Sequence, residues 1–294
     1  MSGRRPLRVG TRGSTLALVQ AEQVAARLRP VVDQVETVPI VTAGDRRAPG
    51  APIGEGVFVG AIREALLAGV VDVAVHSAKD LPVAGDRGTV VLYTERADPR
   101  DALVMRAGGR RLDDLPSGAS VGTDSPRRAG FLLALRPDLR VQPIQGNVPT
   151  RLRKLDAGEA DALVLAVAGL QRLGLEDRLG EIFAARDVVP APAQAAIAVE
   201  MRADDGETRA RLQAIEDPRV RLAVESERRV LAGMGGGCRS PLGAFAQIAD
   251  GTLRLVAGRP GRVMERTARA NERDAAALVD DVVHQLQREP GGVR

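Results

Sequence analysis

The sequence predicts an α/β protein of two similar lobes followed by a small α+β domain, and three observations predict it. Strand-length apolar runs alternate with helical patterns through the first two-thirds of the chain. Two sequence echoes recur in the same order: Val9-Gly10-Thr11-Arg12-Gly13-Ser14 is answered by Val121-Gly122-Thr123-Asp124-Ser125, and Ala68-Gly69-Val70-Val71-Asp72-Val73 by Ala157-Gly158-Glu159-Ala160-Asp161-Ala162. From about Pro218 the alternation gives way to a helix, two strands and a last amphipathic helix.

Taken in order, strands are expected at Leu7–Gly10, Val35–Thr42, Val71–Ser77, Val90–Tyr93, Ser120–Gly122, Arg140–Ile144, Ala162–Val167 and Ala196–Met201. Helices are expected between them, over Thr15–Leu28, Val57–Ala68 and Arg127–Leu135. Ser14 and Ser125 suit N-caps, because a hydroxyl oxygen accepts from the free N–H groups of a first helical turn. Asp45–Glu55, with two prolines and two glycines, has no periodicity and reads as a mobile loop. Pro99 marks a first crossing between lobes and Pro190-Ala191-Pro192 the return. The last region holds a helix at Val220–Leu231, strands near Leu253–Ala257 and Val263–Ala270, and a helix at Glu272–Gln287. The expected domains are residues 1–97 with 194–215, residues 98–193, and residues 216–294.

Composition narrows the partners. With 44% hydrophobic and 27% charged residues in 294, the chain has the balance of a soluble protein with a real core. Its basic residues are arginines except Lys79 and Lys154, and guanidiniums form planar, bidentate pairs with carboxylates. Aromatic residues are 2% with no Trp, so stacking on nucleic-acid bases is unsupported. One cysteine and two histidines offer no metal-ligand cluster. The start has no apolar signal region and no run suits a bilayer, so a cytoplasmic, membrane-free protein is expected.

Chemistry-bearing residues recur at expected strand ends. His76-Ser77-Ala78-Lys79-Asp80-Leu81-Pro82 follows the apolar strand Val71–Val75. Lys79 beside Asp80 is either a solvated ion pair or an acid-binding cation next to a carboxylate that stabilises positive charge. Arg12, Arg127, Arg128, Arg151 and Arg172 fall at or just after strand-to-helix turns, a placement that fits a ligand with several carboxylates. Cys238, the only thiol, ends the run Gly235-Gly236-Gly237 and reads as an attachment point or a nucleophile.

Together these motifs, with Glu95–Asp101, Ser125-Pro126-Arg127-Arg128, Gly146-Asn147-Val148-Pro149-Thr150-Arg151 and Gly236-Gly237-Cys238, resemble the porphobilinogen deaminase (hydroxymethylbilane synthase) family over essentially the whole chain. The resemblance implies two lobes of the type II periplasmic-binding-protein kind and a C-terminal α+β domain. It implies a dipyrromethane cofactor joined through a thioether to Cys238, porphobilinogen as substrate, and a monomer. Four porphobilinogen units would be added head to tail with loss of ammonia, and hydrolysis would release the linear tetrapyrrole. By resemblance Lys79, Ser77, Thr123, Ser125, Arg127, Arg128 and Arg151 hold cofactor acids, with Asp80 beside them. Arg12, Ser14, Arg172, Gln145 and Gln194 meet substrate, and Asp80 is the catalytic residue. The chain departs from the family pattern in having Gln145 where arginine is common and Ala193-Gln194-Ala195 where Gly-Gln-Gly is common. A relative that binds a pyrrolic polycarboxylate with little turnover is the alternative reading.

Overall fold

A computed structural model of the chain describes residues 5–42, 44, 56–106, 109–237 and 240–288. The loop expected at 45–55 and Cys238 lie outside the described residues. In chain order the elements are β1 (Leu7–Arg12), α1 (Thr15–Leu28), β2 (Val35–Ile40), α2 (Gly60–Leu67), β3 (Val73–Ser77), β4 (Thr89–Arg96), β5 (Asp101–Met105), β6 (Ser120–Gly122), α3 (Pro126–Leu135), β7 (Arg140–Gln142), α4 (Val148–Asp156), β8 (Ala162–Ala166), α5 (Val167–Arg172), β9 (Ala196–Arg202), α6 (Gly206–Gln213), α7 (Pro218–Gly233), β10 (Gly243–Ala249), β11 (Thr252–Arg259), β12 (Arg262–Arg269) and α8 (Glu272–Gln287). They form two compact units, residues 1–97 with 195–221 and residues 98–194 with 222–294.

The first unit has a five-stranded sheet in the order β2-β1-β3-β9-β4. β1 runs parallel to β2 and β3, whereas β9 runs antiparallel to β3 and β4. The central strand β3 is apolar without alternation because helices cover both of its faces. Val73 and Val75 pack with Ala21, Val24 and Leu28 of α1, while Ala74 faces Ile62 and Leu66 of α2.

In the second unit a four-stranded sheet has the order β5-β8-β6-β7. Taken from its other edge, β7-β6-β8-β5 repeats β2-β1-β3-β9, with the same parallel pairs and the same antiparallel neighbour. The two sequence echoes fall on equivalent parts of this repeat. Gly10 and Gly122 leave room for close packing at the strand ends: a methyl group would sit 2.9 Å from Val71 Cγ2 and 2.6 Å from Ile144 Cδ1. Gly69 and Gly158 follow the ends of α2 and α4 at φ +69° and +83°, the left-handed position that stops a helix.

The same unit carries an antiparallel sheet, β10-β11-β12, against which α8 packs. Its Val256 lies in one core cluster with Phe131, Val188 and Val189, so the small α+β part shares a core with the four-stranded sheet. The expected α8 matches its sequence pattern residue for residue. Absent from the expectation were β5, β10, α4, α5 and α6.

The segment Ala193-Gln194-Ala195 is strained. Both alanines are buried at positive φ, +63° and +70°, where a Cβ is disfavoured by roughly 1–2 kcal/mol. The conformation is imposed from outside: Ala193 N–H donates to Glu227 Oε2 at 2.7 Å, and Gln194 N–H donates to the Ala191 carbonyl at 3.0 Å. Ala195→Gly should therefore stabilise the protein by roughly 0.5–1 kcal/mol, once the extra freedom of the unfolded glycine chain is set against the relieved strain, and so raise the urea midpoint of unfolding. A lower midpoint would show that packing of the methyl group outweighs the strain.

Candidate functional site

Within the first unit, the residues singled out by the sequence cluster at the carboxyl ends of β1 and β3. Arg12 closes β1 and stacks on Phe58, with its guanidinium carbon 4.0 Å from the ring centroid. Ser14 caps α1, accepting from Ala17 N–H at 3.4 Å, so the free amides of the first turn face the same strand end. Ser77 ends β3 and donates to Gln20 Oε1 at 3.0 Å. Directly after it, a one-turn 3₁₀ helix, Ala78–Asp80, holds Lys79 and Asp80, both half-buried. His76 belongs to the core: it is buried, with Nε2 3.1 Å from Glu200 Oε2. Glu200 is also paired to Arg63 at 2.7 Å, and despite burial these partners hold its carboxyl below the usual range.

The second unit repeats the arrangement with more positive charge. Thr123 Oγ1 accepts from Ser125 N–H at 3.2 Å, and Ser125 caps α3, where Pro126 occupies the first turn. Arg127 and Arg128 follow immediately, and both turn inward onto one carboxylate. Arg127 Nη2 lies 2.6 Å from Asp101 Oδ2, and Arg128 Nη2 lies 2.7 Å from Asp101 Oδ1. All three side chains are buried. Burial would raise the Asp101 pKa, but the two guanidiniums outweigh it and hold the carboxyl far below its ordinary value.

Arg151 lies on α4, whose N-cap Asn147 accepts from Thr150 N–H at 2.9 Å, and its Nε donates to the Gly146 carbonyl at 2.7 Å. Burial, and next the repulsion of Arg128, push its pKa down to about 10, with Asp124 pulling the other way. Gln145 donates to that same Asp124 at 3.3 Å. Arg172 ends α5, the helix that follows β8. Gln194 is buried, with its amide donating to Asp101 Oδ1 at 2.8 Å and to the Pro99 carbonyl at 2.7 Å.

Sequence reasoning missed Asp101, Asp124, Phe58 and Glu227 as partners of these groups. Asp101 did carry a signal, being an acid that opens the apolar run Ala102-Leu103-Val104, where an unpaired charge would be costly. Cys238 lies outside the described residues. Among those described, no cluster of His, Cys, Asp and Glu could hold a metal ion, and no helix is long and apolar enough to cross a membrane.

Two α/β sheets of one repeated topology, each with a serine-capped helix and arginines at the ends of its parallel strands, define a two-lobed α/β protein. Residues 7–210 match the family model described as the dipyrromethane cofactor binding domain of porphobilinogen deaminase, and residues 221–287 match its C-terminal domain. The chain is 43% identical to porphobilinogen deaminase of Corynebacterium diphtheriae over 285 residues, covering 95% of this chain and 96% of that one. It is 49% identical to the Acidothermus cellulolyticus enzyme over 260 residues (85% and 78% covered), and 49% identical to that of Mycobacterium tuberculosis H37Rv over 246 residues (83% and 79%). Among solved structures it is similar to a periplasmic sulfonate-binding protein from Methylobacillus flagellatus, at TM-score 0.42 and 18% identity over 78% of this chain and 68% of that one. The chain belongs to the porphobilinogen deaminase family. Its reaction is the head-to-tail condensation of porphobilinogen with release of ammonia, on a dipyrromethane cofactor, in tetrapyrrole synthesis.

The depressed Arg151 pKa has a measurable consequence. A cation whose pKa is lowered by folding opposes stability below that pKa, and the penalty is relieved as pH rises from about 10 towards its unfolded value. At neutral pH, Arg151→Met should raise the melting temperature of the cofactor-free protein while slowing cofactor uptake. A variant with a lower melting temperature would show that Arg151 is compensated within the protein.

Proposed function

We propose that the residues gathered at the strand ends divide the known reaction as follows. Arg127, Arg128 and Arg151, with Lys79, Ser77, Thr123 and Ser125, hold the acetate and propionate groups of the cofactor. Arg12, Ser14, Arg172 and Gln145 meet the incoming porphobilinogen acids, and Gln194 supports the arginine pair from behind. The observation that carries this reading is the charge imbalance at Asp101. One carboxylate faces two buried guanidiniums, with Arg151 close enough to be repelled, and this surplus calls for an anionic ligand.

The donor set suits a dipyrromethane, whose four carboxylates need several forked cations in fixed positions. When bound, that group would supply the free pyrrole carbon onto which the first porphobilinogen ring is joined. The protein's own contribution is placement and charge. Arginine forks orient the acids and remove the freedom of a long ligand. Asp80, set on a short rigid turn after β3, faces the positive charge that develops on porphobilinogen as ammonia leaves, and it accepts from pyrrole N–H groups. It needs no proton of its own for that role, only ionisation and position. Cys238, in its glycine run, is the covalent tether. The protein works as a cytoplasmic monomer with no nucleic-acid partner, its first lobe formed by residues 1–97 with 195–221 and its α+β part joined to the second lobe.

Two experiments test the assignment. Protein purified from a host that makes porphobilinogen should weigh more than its sequence by one dipyrromethane, and digestion should place the added mass on Cys238; an unmodified Cys238 peptide would remove the tether. Asp80→Asn should load the cofactor yet turn over porphobilinogen at least about a hundredfold more slowly, read as uroporphyrin after oxidation, because a pre-placed charge is lost. Turnover near the unsubstituted rate would exclude Asp80 from the catalytic step.

A further inference from the structure

We infer that Asp101, steadied by Gln194, is a positioning residue that sets the guanidinium forks of Arg127 and Arg128 for ligand carboxylates. The inference rests on the reading that these arginines hold cofactor acids.

Asp101 is the first residue of β5 and is fully buried, and both its oxygens are in use. Oδ2 accepts from Arg127 Nη2 at 2.6 Å. Oδ1 accepts from Arg128 Nε at 3.1 Å, Arg128 Nη2 at 2.7 Å and Gln194 Nε2 at 2.8 Å. Each guanidinium is fixed at a second edge by a backbone carbonyl: Arg127 Nη1 donates to Val189, and Arg128 Nη1 to Val164 in β8 at 3.1 Å. A fork held at two edges by backbone and a buried acid has lost its rotamer freedom before any ligand arrives. A guanidinium carries five N–H groups, more than these partners use, so the locked fork still has donors to offer.

Pairing for stability alone does not call for this arrangement. A buried carboxylate is neutralised by one arginine, and a second adds a desolvation cost without a matching anion. Gln194 supplies the missing constraint. Its amide spans the Asp101 carboxylate and the Pro99 carbonyl, so the residue at which the chain leaves the second unit for β9 fixes which way the carboxylate faces. A leucine or methionine there would fill the space but leave Oδ1 to Arg128 alone.

The test follows cofactor uptake by intact mass after porphobilinogen is added to cofactor-free protein, with urea midpoints measured in parallel. Gln194→Met keeps the ion pairs and should slow uptake about tenfold with little change in midpoint, the loss of a hydrogen bond to a charged group. Arg128→Met should slow it at least as much. The double variant should be no slower than Arg128→Met, because Gln194 acts through the carboxylate that Arg128 reads. A purely structural role would instead lower midpoints and leave uptake unchanged, or give additive losses, and either result overturns the inference. Wild-type uptake by Gln194→Met, with Arg128→Met slow, overturns it while sparing the cofactor reading. Wild-type uptake by Arg128→Met overturns both. All three variants retain the buried carboxylate, so the outcome does not depend on whether a protein without Asp101 folds.

Discussion

A surplus of buried positive charge at one carboxylate organises the second unit. Arg127 and Arg128 leave the first turn of α3, reach Asp101 at the head of β5, and also bind carbonyls of Val189 and Val164. Those contacts tie a helix, two strands and the segment before Pro190 into one body. Burying a pair of cations against a single anion is a poor arrangement for stability, since desolvation is recovered only in part by attraction. The same imbalance is what an apoprotein for a polycarboxylate needs. Under the assignment proposed above, a polycarboxylate ligand supplies the missing anions and gains a site that costs little to order. Arg151 lies further out, its pKa lowered by burial and next by the repulsion of Arg128.

Duplication explains why the strand-to-helix turn with its serine cap exists twice. β1 turning into α1 and β6 turning into α3 are the same structural event, with a serine cap and an arginine at or near each turn. In the first unit the arginine precedes the cap and rests on Phe58; in the second, two arginines follow the cap and are drawn inward by Asp101. The second unit has therefore become a rigid, charge-rich half, while the first places Lys79 and Asp80 on a short turn. In the proposed assignment, binding and charge stabilisation fall on different copies of one design.

Much of this was legible in the sequence, and for physical reasons. A parallel strand buried on both faces reads as a continuous apolar run, so Val73–Ser77 and Ala162–Ala166 were visible, and capping serines marked α1 and α3. Elements whose local composition contradicts their state were not. α4, Val148–Asp156, begins with a proline in its first turn and carries four basic or acidic residues among three buried or packed apolar ones, so its period is weak. β5 opens with an aspartate, which local propensity assigns to a turn. The strand-end positions of the candidate residues were legible, but their partners were not, because Asp101 meets Arg127 and Arg128 only through tertiary structure. Sequence placed the arginines; it could not say that two of them share an acid.

The alanines flanking Gln194 bear on the same point. Glycine would take φ values of +63° and +70° without strain, so the two methyl groups must be tolerated by a framework stiffer than they are. That framework is a pair of buried acids acting on consecutive residues. Glu227 of α7 accepts from Ala193 N–H and also from Ala246 N–H in β10 at 2.6 Å, which fixes the backbone to the small α+β part. Asp101 accepts from the Gln194 side chain, which fixes the next residue to the arginine pair. Strain in the backbone and order in the binding forks are thus held by contacts one residue apart. Substituting glycines would relax the first without touching the second, since the Gln194 amide keeps its two acceptors. The departure from Gly-Gln-Gly is therefore a matter of stability, and the hydrogen bonds from Gln194 to Asp101 and Pro99 survive it.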